Sequence, residues 1–181
     1  MIQADETPLL VNKDGRPAGS KSYMWVYRTG KYQPDRQVVL YDYQKTRKTD
    51  HPRQFLKDFR GVCVTDGYQV YHTLEGERED LEIAGCWAHC RRRYDEAVKA
   101  LPKSEQKMSM AYLALSQIQQ IYHEEKQLQD MTPAERRRHR QKNIMLSVKL
   151  DAPAPCRLDA SDLDFICYAS ADCLHQHLQV I

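Results

Sequence analysis

Residues Gly61-Val62-Cys63-Val64-Thr65-Asp66-Gly67-Tyr68 set a β-rich apolar run against an abrupt polar stop. A buried strand ends this way at the edge of a sheet, and in open α/β sheets the C-terminal edge of the strands is where ligands bind. Asp66 is therefore expected at such an edge. Asp-Gly is also a common turn pair, so a turn aspartate is the simpler account of Asp66 taken alone. The start of the chain, Met1-Ile2-Gln3-Ala4-Asp5-Glu6-Thr7-Pro8-Leu9, repeats the arrangement: a short apolar approach, an acid, then a breaker. Asp5 is expected at the end of a first strand as Asp66 is at the end of a fourth.

Between them the chain reads as a meander. Turn formers from Val11 to Ser20 lead to the aromatic and β-branched run Tyr23-Met24-Trp25-Val26-Tyr27, and a hairpin loop over Arg28 to Arg36 returns as Gln37 to Tyr43. Three strands with short connections are antiparallel. The period then changes. Asp50 can cap a helix whose Phe55, Leu56 and Phe59 share a face, with Gly61 ending it. A helix around Tyr68 to Leu74 follows the Asp66 strand, and Leu81 to Trp87 reads as a fifth strand. The expected class is α/β, a mixed five-stranded sheet of three antiparallel and two further strands, with right-handed crossovers.

From Ala88 onward the pattern is helical. Pro102 closes one helix, Ser104 can cap the next, and Met108, Ala111, Tyr112, Leu115, Ile118 and Tyr122 form an apolar stripe along it. Thr132-Pro133-Ala134-Glu135 is a capping box with proline at the first helical position. After Ile144 the remaining residues contain no Glu, half of the six cysteines, and Pro153 and Pro155 without sustained period until a short tail from His175. The expected division is 1–87, a sheet domain; 88–143, helical; and 144–181, an aberrant tail, disordered or read in a wrong frame.

The 41% apolar and 29% charged content is that of a soluble protein, with no run near the roughly 18 apolar residues of a membrane span and no secretory signal, so the cytoplasm is expected. Six cysteines without framework spacing read as thiols. Cys86 and Cys90 could supply two metal ligands, but a structural zinc site wants four and no second pair follows. The net charge of +2 is unevenly spread. The last 33 residues are acidic, and the basic part holds Arg91-Arg92-Arg93 and Arg136-Arg137-Arg138-His139-Arg140-Gln141-Lys142. Each cluster is dense enough to meet a phosphate backbone; a solvated helix face is the ordinary alternative. Together with paired carboxylates they tilt the reading toward nucleic acid. If the fourth strand lies beside the first, Asp5 and Asp66 are neighbours, and paired acids there suit a divalent cation, since Mg2+ is commonly held by one or two carboxylates together with substrate phosphates.

Ala4-Asp5-Glu6-Thr7-Pro8-Leu9, the Tyr23 to Tyr27 strand, His51-Pro52-Arg53-Gln54-Phe55-Leu56, Thr65-Asp66-Gly67-Tyr68 and Gly85-Cys86-Trp87-Ala88-His89-Cys90-Arg91-Arg92 resemble, in that order, the catalytic core of the insertion sequence 66 family of DDE transposases. The resemblance covers about residues 1 to 143. It implies an RNase H-like fold with strand order 3-2-1-4-5, the 88–143 stretch being a helical insertion. It also implies a site in which Asp5 and Asp66 are the first two acids of a triad holding two Mg2+ or Mn2+ ions, and DNA as partner: element ends and target, acted on by a homo-oligomer of the complete protein. The DNA contacts expected from the two basic clusters are Arg91, Arg92, Arg93, Arg136, Arg137, Arg138, Arg140 and Lys142. His89 is either a DNA contact or a helix-start histidine packed against the sheet.

The chain departs from the family in two ways. The third acid is a Glu in an Asp-Asn-Asn…Glu-Arg stretch, which this sequence lacks; Glu124, Glu125 and Glu135 lie in the part that resembles the insertion and do not inherit the role. The family also carries DNA-binding and zinc-binding regions ahead of the first acid, whereas only four residues precede Asp5 here. The expectation is a stub of the central strand, a marginally stable domain and a decayed, inactive transposase fragment. The alternatives are a non-catalytic DNA-binding or inhibitory fragment and a free-standing RNase H-like nuclease.

Overall fold

A computed structural model describes residues 1–30 and 37–144. The expected hairpin-loop residues 31–36 and the aberrant tail beyond residue 144, with Cys156, Cys167 and Cys173, lie outside the described residues. The described residues divide into two compact units, one up to Gly85 and one from Cys86 onward.

The first unit is a mixed five-stranded sheet with helices. Strands β1 (Ile2–Val11), β2 (Ser20–Thr29) and β3 (Val39–Gln44) form the antiparallel meander, and β4 (Gly61–Thr65) and β5 (Leu81–Gly85) add in parallel. The order is β3-β2-β1-β4-β5, as expected. Helices α1 (Asp50–Phe55) and α2 (Gln69–Glu77) connect β3 to β4 and β4 to β5. The core is built on one sheet face, where Ala4, Trp25, Tyr27 and Cys63 meet Leu56, Val70, Tyr71 and Leu74. Trp25 has no exposed surface and meets Tyr71 edge-on at 6.1 Å, while Tyr27 stacks on Phe55 at 3.7 Å. Burial pushes the Cys63 thiol up to about 12, so it packs as a small apolar group.

Two local expectations in this unit are corrected. The first strand is not a stub ending at Asp5: β1 has ten residues, all registered on β2 from Ile2↔Thr29 to Val11↔Ser20. Its ladder with β4 covers only Ile2↔Cys63 and Gln3↔Val64. Cross-strand pairing outweighs the local breaker signal, and Pro8 is tolerated because past Gln3 only one side of β1 carries a partner strand. Asp50 does not cap α1; Thr49 precedes the helix without a side-chain cap bond, and Asp50 lies in the first turn, paired with Arg53. The end of α1 is held instead from α2, where Arg53 donates to both Glu77 oxygens at 2.9 Å, and Arg78 donates to the carbonyls of Leu56 and Phe59 at 2.6 Å.

The second unit is helical. It contains α3 (Trp87–Lys99), α4 (Lys103–Gln106), α5 (Met110–Gln127), α6 (Pro133–His139) and a π-helical turn over Arg140–Ile144. Helix α3 packs on α5. The long helix is capped by Ser109, whose hydroxyl accepts from the Tyr112 N–H at 3.2 Å, and not by Ser104, which lies in the one-turn α4. Its buried stripe is accordingly shifted: Ala114, Leu115, Ile118, Ile121 and Glu125 face inward, followed by Leu128, while Met108 is exposed. The capping box of α6 forms as read, with Thr132 and Glu135 exchanging bonds and Pro133 in the first turn. No helix among the described residues is long and apolar enough to cross a membrane.

Candidate active site

The parallel register of β1 and β4 decides where the two aspartates stand. Ile2 lies beside Cys63 and Gln3 beside Val64, so continuing the count brings Asp5 level with Asp66, the residue just after β4. Paired strands are about 4.8 Å apart, which holds at Gln3 and Val64, two residues before this level. Because side chains alternate, Gln3, Asp5, Val64 and Asp66 belong to the face opposite Ala4 and Cys63. Asp66 is at the strand's C-terminal edge, as expected. Asp5 is not at a strand end: it is the fourth residue of β1, at the point where β4 has stopped and β1 continues along β2 alone.

Both carboxylates are partly exposed and oriented by backbone donors. Asp5 Oδ1 accepts from the Glu6 N–H at 2.9 Å, and Asp66 Oδ1 accepts from the Tyr68 N–H at 2.9 Å, an Asx turn that leads into α2. Gly67 has φ +83, a left-handed conformation that a side chain would strain, so the turn depends on glycine at this position.

Alternation puts Glu6 on the core face, where its side chain has no exposed surface. A buried carboxylate requires partners, and Glu6 has three donor groups. Arg47, in the segment after β3, donates from Nε to Oε1 at 2.9 Å and from Nη2 to the same oxygen, and Tyr71 donates its hydroxyl to Oε2 at 3.0 Å. The Arg47 guanidinium lies 3.6 Å from the centre of the Tyr68 ring, and the Tyr68 hydroxyl donates to the Arg47 carbonyl at 3.1 Å. Burial pushes Glu6 above the usual carboxylate range, with Arg47 and Tyr71 pulling it back and the Asp66 charge adding to the rise. The Arg47 charge is reinforced by Glu6 and Asp66. This cluster of Glu6, Arg47, Tyr68 and Tyr71 was not predicted from sequence. The readable signal was alternation along Ile2, Ala4 and Glu6, which puts an acid on an apolar face and so demands a cation.

The remaining predicted residues lie in the helical unit. Trp87 opens α3, and His89 sits half-buried in its first turn. Arg91 is half-buried, and Arg92 and Arg93 are exposed; on α6, Arg136 is half-buried and Arg137 and Arg138 are exposed, as is Lys142 in the π-helical turn. Arg140 is different. Only 6% exposed, it forms a two-pronged pair with Glu125 of α5, Nε to Oε1 at 2.6 Å and Nη2 to Oε2 at 2.7 Å. It holds the π-helical turn to α5.

The three late glutamates are each engaged in local structure: Glu124 with His139 at 3.2 Å, Glu125 with Arg140, and Glu135 in the capping box. Among the described residues no group of three or more His, Cys, Asp or Glu side chains is arranged to hold a metal ion. Cys86 is buried just before α3 and Cys90 is half-buried within it, their backbones joined by a 3.1 Å bond.

A family model described as "Transposase IS66 family" matches residues 1–149. The chain belongs to the IS66 transposase family. Two Sinorhizobium fredii proteins are similar to it: uncharacterized protein y4qI, 32% identical over 104 residues covering 51% of this chain, and uncharacterized protein y4jD, 27% identical over 148 residues covering 77%. The chain spans 19% and 28% of the lengths of these relatives. No solved structure matches it.

Proposed function

We propose that these residues are the RNase H-like catalytic-core portion of a DDE transposase, a protein that cuts the ends of its element and joins them to target DNA. In this reading Asp5 and Asp66 hold a divalent cation, Mg2+ or Mn2+. The observation that carries it is the register that brings the two aspartates level on adjacent central strands of a β3-β2-β1-β4-β5 sheet, in a chain of this family. The donor set fits one hard cation shared with a substrate phosphate, since two carboxylates suffice when phosphate oxygens complete the shell. A second ion requires a further acid, which the engaged Glu124, Glu125 and Glu135 do not supply. A cation bound there would polarise the substrate phosphate and activate the attacking water or 3′-hydroxyl, while stabilising the leaving oxygen would fall to the second ion. The chain's own part is to hold the two carboxylates at fixed height on adjacent strands. With the third acid absent from the sequence, the 181 residues are expected not to cleave DNA on their own.

Titrating the chain with Mn2+ and following free Mn2+ by electron paramagnetic resonance tests the assignment. Binding should be present in the native chain and lost in both Asp5→Asn and Asp66→Asn; binding unchanged in both variants would overturn it. The exposed Arg92, Arg93, Arg137, Arg138 and Lys142 favour a second property, DNA backbone binding. It should weaken steeply with salt and survive Asp66→Asn.

A further inference from the structure

We infer that Arg47 and Tyr68 are positioning residues for the metal-holding aspartates, acting through Glu6; the inference rests on the metal-site reading above. The geometry is a continuous path between the two acids. It runs from Asp5 Oδ1 to the Glu6 N–H at 2.9 Å, through the Glu6 carboxylate to Arg47 Nε at 2.9 Å, and from the guanidinium to the Tyr68 ring at 3.6 Å. The Tyr68 N–H then closes it on Asp66 Oδ1 at 2.9 Å.

The path matters because the ladder between β1 and β4 stops at Gln3↔Val64, below the level of both aspartates. Strand pairing alone therefore does not fix their spacing; the clamp spans the gap from the core side. It is rigid for identifiable reasons. Glu6 is fully buried and held at both oxygens, and Tyr71 is fixed by edge contacts to Trp25 at 6.1 Å and to Tyr68 at 6.5 Å. Glu6 itself is not a third ligand, because alternation directs it to the face opposite Asp5 and both its oxygens are occupied. Partners one step behind metal ligands typically govern affinity by about 10- to 100-fold.

The test measures Mn2+ affinity of the whole chain together with its thermal midpoint and near-ultraviolet circular dichroism. Arg47→Gln removes the cation and should weaken Mn2+ binding about tenfold. Tyr68→Leu, which keeps the backbone N–H but removes the ring under the guanidinium, should weaken it comparably, and Tyr68→Phe, which keeps the ring, should stay within about twofold of the native chain. The leucine–phenylalanine contrast at one partly exposed position keeps the test decisive if Arg47→Gln fails to fold. Native affinity in both folded Arg47→Gln and Tyr68→Leu, with Asp66→Asn still abolishing binding, overturns the positioning role and leaves the metal site standing. Absence of Mn2+ binding by the native chain overturns both.

Discussion

Replacing Arg140 by methionine should cost the helical unit about 3–5 kcal/mol, because it strands a buried carboxylate. The Arg140 and Glu125 side chains are 7% and 6% exposed and joined by two charge-assisted bonds of 2.6 and 2.7 Å. An exposed pair such as Lys99–Asp95, whose lysine is 73% exposed, is worth only about 0.2–1 kcal/mol. Burial makes the difference: with Arg140 gone, Glu125 keeps its desolvation cost and loses its counter-ion. Urea unfolding followed by helical circular dichroism reads the loss. With a slope of about 2 kcal/mol per molar, the midpoint should fall by roughly 2 M. The double variant Glu125→Met/Arg140→Met should recover most of the loss, since apolar groups of similar volume replace a buried pair at little net cost. A loss below about 1 kcal/mol, with weakened DNA binding in the folded single variant, would refute the reasoning and return Arg140 to the phosphate-contacting set.

Other outcomes follow from the same structure. Leu56→Ala, at a side chain 1% exposed between α1 and the sheet, should destabilise the first unit by about 2–5 kcal/mol in urea unfolding. Thr132→Ala removes one half of the capping box and should cost about 0.5–2 kcal/mol by the same assay. Asp14, Glu77 and Glu135 titrate below the usual carboxylate range because of hydrogen bonds from Arg16, Arg53 and Thr132. Their contribution is present above their ordinary values and lost as pH falls through the folded ones, so the thermal midpoint should drop on acidification below about pH 4. Glu6 runs the opposite way: its raised value makes its contribution fall as pH rises through and above the ordinary glutamate value, so Glu6→Gln should steepen the acid loss.

The sheet was legible because its signals are local. The apolar run before Asp66, the aromatic run around Trp25 and the change of period after Tyr43 marked the five strands, while their order came only from the family resemblance. The cap of α6 was legible for the same reason, since Thr132, Pro133 and Glu135 are contiguous. What escaped depended on long-range pairing. Asp5 reads as a strand end because Thr7 and Pro8 follow it, yet β2 carries β1 on to Val11. Arg140 is one cation in a basic run, and only packing of the π-helical turn on α5 singles it out. Its partner was nevertheless readable: Glu125 falls at the inward spacing of Ile118, Ile121 and Leu128, an acid in a core stripe. Arg47 carries no such mark, lying in a run of turn and basic residues whose tertiary partner, Glu6, is 41 positions away.

Metal-directed backbone cleavage tests the central claim most directly. The chain is loaded with Fe2+ in place of Mg2+, exposed to ascorbate and peroxide, and the fragments are identified by mass spectrometry. If Asp5 and Asp66 hold the cation, cuts cluster at both positions together and disappear with excess Mg2+ or in Asp66→Asn. Cuts confined to the Cys86–Cys90 segment, or unaffected by Asp66→Asn, would contradict the account.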